Sequence, residues 1–165
     1  MIQIFMRMKR INKRICVSIS IIRMYLWISI AYKSMNKNGE TIMIVEDDSF
    51  VMDIYETKLK VEGYQVMEAI NGLDAIKKLE GGAELPDLIL LDIVMPYMDG
   101  LEFLKKIKKE EKFKNIPVIL LTNLSQREEI DTGLGLGAND YLIKSHFTPS
   151  EVMEKVRGIL KLHNT

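Results

Sequence analysis

Leu88-Ile89-Leu90-Leu91-Asp92-Ile93-Val94-Met95-Pro96-Tyr97-Met98-Asp99-Gly100 runs from an unbroken apolar stretch into a loop punctuated by Pro and Gly. Apolar residues without alternation read as a strand covered on both faces, the character of a parallel strand in an α/β sheet. Asp92 closes that strand, and the carboxyl ends of strands are where open α/β sheets place their chemistry. Alone, such an aspartate is as often a plain solvated loop acid as a functional one, so its neighbours decide.

Three other apolar runs end on chemically useful residues. Ile42-Met43-Ile44-Val45 leads into Glu46-Asp47-Asp48, Val118 to Leu121 leads into Thr122, and Tyr141 to Ile143 leads into Lys144. If the first run neighbours the strand of Asp92 in parallel, three or four carboxylates converge. Like charges so close do not all stay ionised without a counterion. A hard divalent cation meets that need, and Mg²⁺ held by one or two carboxylates, waters and a phosphate fits best. An acid pair, a nucleophilic acid, a hydroxyl and an ammonium are what phosphoryl transfer to a carboxylate requires. Asp92 attacks in line, while the cation, Thr122 and Lys144 neutralise the transferred oxygens.

The matching text is Ile44-Val45-Glu46-Asp47-Asp48, Asp92 to Gly100, Leu121-Thr122 and Gly137-Ala138-Asn139-Asp140-Tyr141-Leu142-Ile143-Lys144. In this order and spacing it resembles the receiver domain of two-component response regulators, across roughly residues 40 to 163. The resemblance implies a flavodoxin-like, doubly wound sheet of five parallel strands in the order 2-1-3-4-5 with five helices. That order is the one the receiver fold exemplifies among doubly wound sheets. By the same resemblance Asp92 is the phosphoacceptor, and Mg²⁺ is held by Glu46, Asp47, Asp92 and the backbone carbonyl of Val94, with Glu46 acting through water. Thr122 is the switch hydroxyl, Lys144 the ion-pair partner of the phosphoryl group, and Tyr141 the aromatic switch residue. Asp48 and Asp99 read as solvated loop acids. The phosphodonor implied is a sensor histidine kinase or phosphotransfer protein, and the output face is that of the fourth helix, fifth strand and fifth helix.

Strand candidates are Thr41 to Val45, Tyr64 to Glu68, Leu88 to Leu91, Val118 to Leu121 and Tyr141 to Ile143, separated by helical stretches of about ten to fifteen residues. The first helix, Phe50 to Glu62, is expected to turn Val51, Ile54, Tyr55, Leu59 and Val61 to the sheet, with Gly63 closing it. Ser125 to Glu128 and Thr148 to Glu151 read as capping boxes, the second with Pro149 at the first helical position. Gly133, Gly135 and Gly137 weaken the fourth helix, since a helical Gly costs about 1 kcal/mol against Ala, and its second half is expected to be the loosest part of the domain. A phosphate-loop reading of these glycines fails on order, because they trail a helix and precede a strand.

Two departures from the family pattern bear on chemistry. Ser145-His146 follow Lys144 where most receivers carry a cis proline, which leaves a trans and a strained cis bond both open. His146, with His163 at the distant tail the only other histidine, reads as a plain loop or helix-entry residue rather than a metal ligand or proton shuttle. Val94 and Leu124, two residues past Asp92 and Thr122, offer no group to orient an attacking water.

One cysteine, Cys16, excludes a disulfide framework and a cysteine zinc site. The net charge of zero conceals a basic segment, residues 1–39, with eight Lys or Arg and no acid, and an acidic remainder of net −8. An acidic domain gives no support for direct nucleic-acid binding. The lysines from Lys105 to Lys114 read as a solvated helix face. Ile15 to Tyr32 is near the length of a membrane span, but Arg23 lies within it and the flanking charge would place the receiver outside the cell. The organisation expected is therefore an extension, 1–34, arising from a mis-assigned start or else membrane-associated; a lead-in, 35–40; and the receiver, 41–163, cytoplasmic and folding from Met35. No effector domain is expected after it. The leading reading is a single-domain response regulator, not an enzyme beyond its own phosphorylation. The alternatives are a non-phosphorylated binding module and a Mg²⁺-dependent phosphohydrolase, the latter lacking a second acid at Val94 and a substrate cap.

Overall fold

The computed structural model describes residues 39–82, 84–123 and 127–163, which fall in one compact unit, Asn38–Thr165. The extension 1–34, Leu124 and the capping box expected at Ser125 lie outside the described residues. Five strands alternate with five helices: β1 (Thr41–Val45), α1 (Ser49–Glu62), β2 (Gln65–Ala69), α2 (Gly72–Gly81), β3 (Leu88–Leu91), α3 (Gly100–Lys109), β4 (Val118–Thr122), α4 (Arg127–Gly135), β5 (Asp140–Ile143) and α5 (Pro149–His163). All four strand pairings are parallel, in the order β2-β1-β3-β4-β5. This is the doubly wound sheet expected, with β1 and β3 side by side at the point where strand order reverses.

Alternation along each strand divides the core into two layers. Met43, Val45, Ile89, Leu91, Val118 and Leu120 pack with α2 and α3, where Phe103 and Leu104 are fully buried. Ile42, Ile44, Leu88, Leu90, Ile119 and Leu121 pack with α1 and α5 through Leu59, Val152 and Val156. Among the described residues no helix is long and apolar enough to cross a membrane.

Several expectations need correction. Along α1 the buried residues are Met52, Tyr55 and Leu59, whereas Ile54 and Val61 are 51% and 77% exposed. At 3.6 residues per turn, Ile54 and Val61 point roughly opposite to Met52 and Leu59, so the helix carries apolar residues on both sides and its sequence does not say which side faces in. β2 begins at Gln65, one residue later than expected. The Tyr64 amide is used in ending α1: Gly63, at φ 93°, and Tyr64 donate to the carbonyls of Lys60 and Leu59, both at 3.1 Å, an arrangement of the Schellman kind. Lys108 is not on a solvated face, because its Nζ donates to Ile116 O at 2.8 Å and Lys114 O at 3.1 Å, and burial pushes its ammonium below the ordinary lysine range. Gly133 does more than weaken α4: a Cβ there would overlap Leu120 Cδ1 and lie 3.7 Å from the Tyr141 ring, so its absence lets the helix sit close to the sheet.

Asp48 and Asp99 are helix caps rather than free loop acids. Asp48 Oδ1 accepts from the amides of Phe50 and Val51 at 2.9 and 3.3 Å, and Asp99 Oδ1 accepts from Glu102 N at 2.8 Å. The capping box at α5 forms as expected, with Thr148 Oγ1 accepting from Glu151 N at 3.3 Å and Glu151 Oε2 accepting from Thr148 N at 2.7 Å. Thr148→Ala should lose about 1 kcal/mol of stability at neutral pH. The bonds from Thr148 hold the Glu151 carboxyl below its ordinary range, so its contribution is present above that range and disappears as pH falls through the lowered value. Urea unfolding of both proteins at pH 7 and pH 3 checks this, since the gap should narrow in acid and a constant gap would contradict the assignment.

Candidate functional site

β1 and β3 are paired in register from Ile42 opposite Leu88 to Val45 opposite Leu91, so the residues that follow each strand emerge together. Glu46 N donates to Ala69 O and Asp92 N to Val45 O, both at 2.9 Å, which carries the ladder one residue beyond the strands on either side of β1. As a result one carboxylate oxygen from each of Glu46, Asp47 and Asp92 lies within 4.8 Å of the others. Glu46 and Asp92 are only 4% and 8% exposed, while Asp47 stands at the open side.

The cation that balances them is Lys144. Its Nζ donates to Glu46 Oε2 at 2.6 Å and to Asp92 Oδ2 at 2.7 Å. Burial, the largest single influence, would depress its pKa, but the hydrogen bonds to Asp92 and Glu46 and the charges of both carboxylates together outweigh it and raise it. Burial pushes the Glu46 carboxyl up to about 6 even with Lys144 in contact. One ammonium therefore does not make this pocket comfortable for the negative charge it holds. The described residues contain no cis peptide bond, so Lys144 joins Ser145 in trans, and a 3₁₀ turn over Lys144–His146 delivers the side chain without the family proline. His146 is an exposed residue of that turn.

Asp92 is fixed by its own loop, with Oδ1 accepting from Ile93 N at 2.6 Å and facing Val94 N at 3.4 Å. Val94 itself is exposed. Thr122 is fully buried at the end of β4, opposite Ile143 and so one residue across from Lys144. Tyr141 is half-buried on the α4 side of β5, packed against the core behind Leu120. Burial, with the charges of Glu129 and Asp92, raises its phenol above the ordinary range. Glu46, Asp47, Asp92, Thr122 and Lys144 thus lie together at one end of the sheet, with Tyr141 farther back along β5.

A profile of the response regulator receiver domain matches residues 42–157. The chain belongs to that family. Among relatives, this receiver domain is 36% identical over 127 residues to the "Probable transcriptional regulator ycf27" of Pyropia yezoensis, which covers 77% of the chain and 50% of that protein. It is likewise 36% identical over 127 residues to the "Alkaline phosphatase synthesis transcriptional regulatory protein PhoP" of Bacillus subtilis (strain 168), with coverage of 77% and 50%. The chain thus spans about half the length of these curated relatives. In structure it resembles a response regulator receiver domain protein (CheY-like) of Methanospirillum hungatei JF-1, with a TM-score of 0.70, 30% identity, and coverage of 77% of this chain and 98% of that one. It also resembles the Mn(2+)-bound form of response regulator Rcp1, with a TM-score of 0.63, 30% identity, and coverage of 73% and 91%.

Two residues that hold neighbouring segments in place escape the sequence reading. Asn71 is buried and caps α2, its Oδ1 accepting from Asp74 N at 2.9 Å. Gly100 donates from its amide to Ile93 O at 2.9 Å, and a Cβ on it would overlap Asp92 O and stand 2.8 Å from Ile93 Cα. Asp99-x-x-Glu102 and Asn71-x-x-Asp74 carry a capping pattern that could have been read; the close approach at Gly100 leaves no trace in the local sequence.

Proposed function

We propose that this receiver accepts a phosphoryl group on Asp92 from the phosphohistidine of a sensor histidine kinase or phosphotransfer protein, and signals by protein contact. The observation that supports it best is the buried carboxylate of Asp92, held between Lys144 and two further acids at a strand end. A carboxylate oxygen of Asp92 forms the new bond to phosphorus. The phosphorus–nitrogen bond of the donor breaks, and the electron pair leaves with the imidazole, which takes up a proton.

The acid set fits a hard divalent cation: three oxygen donors converge, and burial pushes one of them, Glu46, up to about 6, the mark of negative charge short of a counterion. Glu46, Asp47, Asp92 and the carbonyl of Val94 would hold Mg²⁺, which when bound supplies charge neutralisation for the transferred oxygens. Lys144 gives up one of its two carboxylate contacts to meet the phosphoryl group, and Thr122 supplies a hydroxyl to it. Movement of Thr122 draws α4 with it, and the Tyr141 ring, half-buried beside Gly133, turns inward. This acidic domain then acts in the cytoplasm by contact with other proteins rather than with nucleic acid, with no turnover beyond its own phosphorylation.

Two measurements separate this reading from its rivals. A phosphohydrolase would turn over p-nitrophenyl phosphate with Mg²⁺, whereas a receiver incorporates one phosphoryl group and stops. Once phosphorylated, the protein should lose the group slowly, over hours rather than seconds, because exposed Val94 presents only methyl groups to an incoming water. Decay of the purified phosphoprotein within a minute at neutral pH would contradict that expectation.

A further inference from the structure

The loop 93–99 that carries the phosphoacceptor away from β3 is braced at two points. At its root Gly100 closes on the Asp92–Ile93 peptide, as described above. At its tip the brace comes from a different strand–helix unit. Gly72, the first residue of α2, donates its amide to Met98 O at 3.3 Å. The position a Gly72 Cβ would occupy is already taken, with Met98 Cγ at 2.7 Å and Met98 O and Sδ each at 3.0 Å. Contacts under 3.0 Å are ones that real Cβ atoms essentially never show, so any side chain at this position must displace Met98.

Gly72 sits on a rigid abutment. Asn71 caps α2, Asp74 Oδ2 accepts from Ile70 N at 3.2 Å and from Lys78 Nζ at 2.7 Å, and Lys78 also donates to Glu68 O at 2.6 Å. The loop between the two braces has little slack. Met98 N bonds back to Pro96 O at 2.9 Å around Tyr97, which is held at φ 70° and is 86% exposed. That is the strained, positive-φ form of a γ-turn on a bulky residue with no burial to hold it there. Beside this turn Met98 packs against Gly72 and against the core of the α2 and α3 side.

We infer that Gly72 is a positioning residue for the phosphoacceptor loop: the absence of its side chain seats Met98, and through the short loop it sets where Val94 and Asp92 stand relative to Glu46 and Asp47. This rests on the cation site proposed above. The test is a compensation cycle in the full chain, comparing Gly72→Ala, Met98→Ala and the double variant. Mg²⁺ affinity is read by calorimetry, the phosphorylation rate is read with acetyl phosphate, and thermal unfolding is followed alongside. Gly72→Ala, by pushing the loop tip outward, should weaken Mg²⁺ binding about tenfold, the usual scale for outer-shell changes at metal sites. Met98→Ala, by releasing the tip, should weaken it too. In the double variant the methyl group added by Gly72→Ala fills the space left by Met98→Ala, so Mg²⁺ should bind more tightly than to either single variant.

Unchanged Mg²⁺ affinity in both single variants would overturn the inference, as would a double variant no better than the singles. A stability loss with Mg²⁺ affinity intact would mean that the contact is merely structural. If the unaltered protein neither binds Mg²⁺ nor accepts phosphoryl, the proposed function fails first, and this inference with it.

Discussion

Lys144→Met should destabilise the Mg²⁺-free protein at neutral pH by about 3 kcal/mol, the lower end for breaking a buried ion pair and leaving its partner uncompensated. Its ammonium lies between Glu46 and Asp92 with side-chain exposures of 10%, 5% and 9% for the three residues. Met keeps the volume and removes only the charge. What remains is a cluster of three acids, two of them buried, with no counterion among the contacts described. Two conditions should restore most of the loss. Millimolar Mg²⁺ replaces the missing positive charge. Acid also relieves it: burial pushes the Glu46 carboxyl up to about 6 even with Lys144 in contact, and higher once that contact is lost, so the pocket becomes less negative as pH falls toward 5 and the variant's deficit shrinks there. Urea unfolding at pH 7.5 and pH 5, each with and without Mg²⁺, separates this from a packing defect, which would give the same deficit in all four conditions. Phosphorylation of the variant should be strongly impaired even with Mg²⁺, because the transferred oxygens lose a cation that the metal alone does not replace.

Gly100→Ala should cost about 3 kcal/mol, at the upper end of overpacking effects. The obstacle is backbone rather than a side chain able to rotate away: Asp92 O, Asp92 C at 2.9 Å and Ile93 Cα at 2.8 Å surround the site of the new Cβ. Either the first turn of α3 moves out, losing the Gly100 N–H to Ile93 O bond, or the Asp92–Ile93 peptide shifts and takes the phosphoacceptor with it. Both routes damage the site as well as the fold, so the surviving folded fraction should phosphorylate slowly. Gly135→Ala is the matched control. Nothing lies within 4 Å of its Cβ position, and replacing a helical Gly there should be neutral or gain up to about 1 kcal/mol. Equal losses at the two positions, by thermal or urea unfolding, would contradict the assignment of Gly100 as a seat.

The architecture was legible because its signals are local. Leu88 to Leu91 and Val118 to Leu121 are unbroken apolar runs, and a chemically distinctive residue follows each of the site strands. The acid–acid–hydroxyl–ammonium order needed only the premise of parallel neighbours to become a site. What escaped was information held between segments. Helix α1 offers Met52 and Leu59 on one side and Ile54 and Val61 on the other, and only the sheet beneath decides which set is covered. Lys108 looks like one of several surface lysines until the loop ending at Ile116 folds over it. Asp48 and Asp99 read as loop acids because a cap is recognised by where its helix begins, and the helix boundary is the least certain part of a sequence reading. The seats at Gly72, Gly100 and Gly133 are distances to residues of other elements, which no local pattern encodes.

The most direct test is the intact mass of the protein after incubation with Mg²⁺ and acetyl phosphate, read beside Asp92→Asn. A single phosphoryl increment, labile to base and absent both from the variant and without Mg²⁺, is the expected result. An increment that persists in Asp92→Asn, or none at all in a folded protein shown to bind Mg²⁺, would contradict the assignment of Asp92 as the phosphoacceptor.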